Sequence, residues 1–188
     1  MSLELWTGLL LVLLGIAVLL RGDRLWLLAA GAGALLGAGL ELRIPGLANS
    51  FVGWLTTAGL AILLGVVGFL FRRFDRIVAL VIGFVAGGGI ALGLLDALRI
   101  NLGLWDWILA LVAAVVVGVL FMRYREWGMI VLAGLVGSIL VVRGLTLWIF
   151  PALAGPIGTL LALTLAALGI YYNYRKRKPA SPTSSAAG

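Results

Sequence analysis

The chain of 188 residues contains no cysteine and no histidine. That absence removes, together, disulfide frameworks, thiol nucleophiles, haem ligation through either residue, histidine metal sites and serine-histidine triads. No metal and no cofactor is expected. Charge is also scarce: Asp, Glu, Lys and Arg make up 11% of the chain, against about 25% in soluble domains. None of these charges falls in the middle of a long apolar run. Proton relays, voltage sensors and carboxylate-coupled ion transport therefore lack their usual parts. No nucleophile stands beside a base. The closest approach to catalytic apparatus is a pair of carboxylates, Asp96 and Asp106, separated by a loop. The chain is accordingly expected not to be an enzyme.

What remains is apolar. Hydrophobic residues make up 63% of the chain and its mean hydropathy is +1.21. A soluble fold of this length has too little interior to hide so much apolar surface, whereas a bilayer requires it. Seven runs stand out: Leu3 to Leu20, Leu25 to Leu40, Phe51 to Phe71, Ile77 to Leu95, Leu104 to Met122, Trp127 to Val142, and Ala152 to Asn173. At 1.5 Å per residue most approach the ~20 residues that cross a ~30 Å hydrocarbon core. The expected fold is all-α: a polytopic bundle of seven transmembrane helices over residues 1–174. A basic and then disordered cytoplasmic tail is expected over 175–188.

Charge sets the expected orientation. The turns "RGDR" (Arg21 to Arg24), "RRFDR" (Arg72 to Arg76) and "RYRE" (Arg123 to Glu126), with the tail Arg175, Lys176, Arg177 and Lys178, hold 11 of the 14 Lys and Arg. Basic loops stay in the cytoplasm, which places the N-terminus outside and the C-terminus inside, in the plasma membrane of the cell. The tryptophans lie near the ends of the runs, as interfacial belts require. The net charge of +7 then needs no nucleic acid to explain it, and the four tail residues are expected to meet anionic lipid headgroups.

Self-comparison shows a repeat. "FRRFDRIVALVIGFVAGGGI" aligns with "FMRYREWGMIVLAGLVGSIL" at an offset of 50, and "DRLWLLAAGAGALLGAGL" with "DRIVALVIGFVAGGGIAL" at an offset of 52. The expected unit is a helical hairpin used three times in parallel, with a seventh helix added. Glycine weakens a helix in water, yet these helices carry Gly33 with Gly37, Gly83 with Gly87, Gly89 with Gly93, and Ala133 with Gly137 at four-residue spacing. In lipid such small residues let backbones approach. These eight are expected to pack helices, with the even-numbered helices forming an inner cluster. Glycines lining a pore is the alternative.

At the opposite end from the basic turns, Glu41, Arg43, Asp96, Arg99, Asp106 and Arg143 either line a shallow vestibule for a polar ligand or snorkel to the surface as helix-end ion pairs. Arg143, followed by Pro151, Gly155 and Pro156, marks either an ordinary helix end or a broken, re-entrant segment. Thr56, Thr57, Ser138, Thr159 and Thr164 are expected to bond between helices or back to their own.

The glycine-rich fourth run and "GSILVVRGL" (Gly137 to Leu145) resemble the domain shared by transmembrane protein 198 and transmembrane 7 superfamily member 3, over roughly Leu3 to Asn173. The resemblance implies a seven-helix domain linked in animal members to membrane scaffolding of signalling, and carries over no catalytic residue. Two functions are expected from all of this. The first is a non-enzymatic scaffold or accessory subunit acting through helix association, as a homo-oligomer or with a membrane-protein partner. The alternative is a small channel or transporter for an ion or weakly polar solute, with Ser138 and Thr159 lining its path.

Overall fold

The structure is a computed structural model, and it describes residues 3–22, 24–44, 51–70, 75–97, 103–148 and 155–177. All its regular structure among these residues is helical: α1 (Leu3–Leu20), α2 (Leu25–Arg43), α3 (Phe51–Leu70), α4 (Asp75–Ala97), α5 (Leu104–Arg123), α6 (Arg125–Trp148) and α7 (Pro156–Arg177). Four of them are long and apolar enough to cross a membrane, over Phe51–Leu70, Leu104–Arg123, Glu126–Trp148 and Pro156–Lys176. The others carry shorter apolar stretches, Leu5–Leu20, Leu25–Glu41 and Ala79–Leu95.

Several boundaries differ from the sequence expectation, the largest at α6 and α7. Helix α6 does not stop at Val142 but runs unbroken to Trp148, because Arg143 finds a partner on a neighbouring helix. Helix α7 begins at Pro156, where a missing N–H costs nothing, directly after Gly155 at φ 121°. It continues through Arg177, so the first part of the expected tail is helical. The rest of that tail lies outside the described residues.

The chain reverses sharply at the basic turn between α5 and α6. Between α5 and α6 only Tyr124 leaves the helical path. Its N–H donates to the Leu120 carbonyl at 2.8 Å, while its own carbonyl accepts from Gly128 N–H at 2.7 Å. The helices on either side then diverge. The most extensive packing joins α2 to α3, α4 to α5, and α1 to α6. Helices joined across the basic turns are therefore not one another's main partners.

Small residues explain this pairing. In α1 and α6, a methyl group added at Gly8 would lie 2.8 Å from the Gly144 carbonyl oxygen, and one at Gly15 would lie 2.8 Å from that of Gly137. The two glycine pairs are seven residues apart on each helix and run in opposite directions, so α1 and α6 are antiparallel. In α2, Gly33 faces the Leu60 carbonyl of α3, and Gly37 comes within 2.6 Å of the Thr57 Cα by the same measure. In α4, Gly83 meets Gly118 Cα at 2.9 Å and Gly87 meets the Ala113 carbonyl at 2.8 Å, both on α5. Real side chains do not fit at such distances, so each pair owes its separation to the missing Cβ.

Helices α2, α4 and α6 also touch one another, and large side chains fill the space where they meet. Leu28, Leu35, Val136 and Leu140 are wholly buried there within one cluster with Ala86 and Ile82. Helix α6 has 61% of its apolar window buried, whereas α3 has 22% and α5 28%. The layout is thus an inner trio, each member carrying one outer antiparallel helix, with α7 laid against α6 and α1.

Candidate functional site

The eight small residues singled out by spacing divide by what they face. Gly33, Gly37, Gly83 and Gly87 turn outward to the paired outer helix, as described. Gly137 packs on α1, where an added methyl would be 2.7 Å from Leu19 Cγ and 2.9 Å from the Gly15 carbonyl. Ala133 presses on Gly22 just beyond α1. Gly89 and Gly93 look into the trio: Gly89 faces Leu35 Cγ at 3.2 Å, and Gly93 faces Ile139 Cγ2 at 3.6 Å with ordinary room. Gly33, Gly37, Gly83, Gly87 and Gly137 therefore join inner to outer helices, Gly89 and Gly93 lie between inner ones, and leucine and valine fill the centre.

At the end opposite the basic turns, polar groups meet the inner trio. The Arg143 guanidinium crosses from α6 to α2 and donates through Nη2 to the Ala38 carbonyl at 2.7 Å. That carbonyl lies near the C-terminal end of α2, the negative end of its dipole, where a cation is favoured. Arg143 is only partly exposed and sits within a regular helix. It is not at the end of α6, which runs on to Trp148. One turn along α2 from Ala38, the Glu41 carboxylate accepts a long hydrogen bond from the Thr57 hydroxyl at 3.5 Å, and Thr57 is itself 4% exposed.

Asp106 has no exposed surface at all. Its place in the fold explains how a carboxylate is tolerated there. It is the third residue of α5 after Gly103, where first-turn N–H groups and the positive helix end favour an anion. Read from sequence as a vestibule residue, it lies inside the bundle rather than on an open wall. Of the other expected vestibule residues, Arg43 and Asp96 lie on described helices but their side chains are outside the described residues, as is the whole of Arg99.

The hydroxyls turn inward on their own helices. Thr56 donates to Val52, Ser138 to Leu135, Thr159 to Gly155 and Thr164 to Leu160, at 2.8 to 3.1 Å. Ser138 is 1% exposed, so it offers no surface to a solute.

At the basic end, α1, α6 and α7 converge on a residue that the sequence reading passed over. Asn173 Nδ2 donates to the Leu19 carbonyl of α1 and to the Gly169 carbonyl of α7, both at 2.8 Å. The Leu19 carbonyl is among the last four of α1, which have no partner within their own helix. The one available signal was an asparagine set among tyrosines at the end of an apolar run. One residue on, Tyr174 stacks on Trp127 of α6 with ring centroids 5.4 Å apart. Arg123 lies over the Tyr124 ring, 5.9 Å from its centroid. Arg21, Arg24, Arg175 and Lys176 are exposed. The side chain of Arg177 and all of Lys178 lie outside the described residues.

Compared with known proteins, the chain matches no family model, no curated protein and no solved structure.

Proposed function

We propose that this chain is a seven-span membrane protein acting through association, as a non-enzymatic scaffold or accessory subunit, with its N-terminus outside the cell and its C-terminus in the cytoplasm. The observation that carries the reading is the filled centre of the inner trio, where Leu35, Val136 and Leu140 have no exposed surface. A solute path would need polar surface there, and Ser138 and Thr159 bond to their own helices instead. The parallel inner helices support reading the hairpins as copies: Leu35 stands beside Gly89, and Gly39 beside Leu92, close to the offset found in the sequence. The likeness to the transmembrane protein 198 domain points the same way.

Crosslinking in native membranes tests the proposal. The expected product is a discrete homo-oligomer or a complex with another membrane protein. Recovery of monomer alone, together with solute flux into proteoliposomes above that of empty vesicles, would replace association by transport.

A further inference from the structure

Helix α4 is held differently in its two halves. Toward the basic end, a methyl added at Gly83 would lie 2.8 Å from Phe121 Cβ, and one at Gly87 would lie 2.7 Å from Val117 Cβ, both on α5. There the helix is locked against its partner. Farther along, the contacts relax on three sides. A methyl added at Gly88 would stand at an ordinary contact distance, 3.6 Å, from Ala114 Cβ of α5, and one at Gly93 would stand at the same distance from Ile139 Cγ2 of α6. On α2, Gly39 leaves 3.6 Å to Leu92 of α4. Gly89 is the exception, with Leu35 Cγ at 3.2 Å. Gly39, Gly88 and Gly93 thus each leave a gap the size of a methyl group that close packing does not demand, although glycine weakens a helix and an unfilled gap forfeits contacts. Gly87, Gly88 and Gly89 follow one another at the point where the tight half gives way to the loose one.

We propose that these three glycines form a hinge, at which residues 90–97 of α4 tilt away from α2 and α6 and open a crevice at the end of the bundle opposite the basic turns. The lock on α5 at Gly83 and Gly87 is the fixed side, and a few helix positions absorb the change of direction. The other two members of the trio stay together, because Arg143 of α6 donates to the Ala38 carbonyl of α2 at 2.7 Å. Leu92 and Gly93 meet these two helices through apolar contacts at ordinary distance, which part without breaking a hydrogen bond. The gap at Gly88 gives the tilting half room on the α5 side. Leu35, Leu92 and Ile139 would line the crevice. It ends at Ala86 and Ile82, which stay within the buried cluster, so it is a pocket closed toward the basic end and not a path through the bundle. The inference goes beyond association and depends on no particular partner: it gives one end of the molecule two shapes.

Single thiols in the cysteine-free chain test this. Leu92 and Ile82 lie on either side of the hinge, and each is 3% exposed. With the full chain in lipid nanodiscs, which leave both faces open, a small water-soluble methanethiosulfonate should modify Leu92→Cys and spare Ile82→Cys. Filling the gaps should hold α4 straight. Gly88→Ala should slow modification of Leu92→Cys about fourfold, and Gly88→Ala with Gly93→Ala roughly 15-fold, from the helix propensity of each glycine. Melting temperature should hold or rise in both, since the added methyls fit. Equal rates for the two thiols, or no modification of Leu92→Cys, would overturn the hinge. Slowing by Gly93→Ala but not by Gly88→Ala would replace it with fraying from the end of α4, because fraying that reaches Leu92 leaves Gly88 helical. A lower melting temperature in Gly88→Ala would overturn the gap on which the inference rests.

Discussion

Asn173 and Leu19 are 154 residues apart in the chain and joined by a 2.8 Å hydrogen bond. A carbonyl left open by the end of one helix is closed by the side chain of another, at the point where lipid would otherwise face it. Asn173→Ala should destabilise the protein by about 1–3 kcal/mol, the cost of an orphaned buried polar group. Asn173→Asp should do no better, since a carboxylate has no proton to donate. Thermal unfolding in detergent measures both, and hydrogen exchange should show faster exchange at the end of α7.

The glycine pairs of α1 and α6 allow a sharper test. Gly15→Ala and Gly137→Ala each place a methyl against the other helix's backbone and should cost about 1–3 kcal/mol through overpacking. Gly59 of α3, which has nothing within 4 Å of an added methyl, is the matched control. Gly59→Ala should be neutral or stabilise by up to about 1 kcal/mol, from helix propensity. Equal losses at all three positions would show that the close approach of α1 to α6 does not set the cost.

How much of this was legible in the sequence depends on which kind of interaction decides it. The helices follow from run length, since lipid leaves the backbone no partner but itself. Their partners do not. Gly15 and Gly137 carry the same letter as Gly59, and only the three-dimensional arrangement separates the glycines that touch a backbone from the one that touches nothing. Arg143 was misread as a boundary because a charge ends most apolar runs. Here a carbonyl on α2 receives it, and α6 continues for another turn. For Asp106 the sequence leaves a vestibule wall and a helix-end ion pair open, and only the fold shows a first-turn carboxylate with no exposed surface.

Arg143 supplies a third prediction. Arg143→Gln should cost about 1.5–3 kcal/mol, the range for a hydrogen bond to a charged group. Arg143→Lys should recover part of it, since an ammonium with a shorter reach still donates. If Arg143 instead served a transport path, solute flux would change while thermal stability did not.

Orientation can be read without first removing any native thiol, because the chain has no cysteine. Arg24→Cys and Leu104→Cys place single exposed thiols near opposite ends of the bundle. With the N-terminus outside, a membrane-impermeant maleimide should label Leu104→Cys in intact cells and Arg24→Cys only after permeabilisation. The reverse pattern would invert the proposed topology.

The pairing of α1 with α6 also sets an order of assembly. Helices α2 and α3, or α4 and α5, follow one another from the ribosome and can dock as soon as both are inserted. The first helix has to wait until the sixth is made, held in the membrane meanwhile with Gly8 and Gly15 uncovered. Its main contacts join residues more than a hundred positions apart, so docking α1 on α6 is the slow, long-range step of folding. A chain begun at α2, with α1 supplied as a separate peptide, should therefore complete the same molecule.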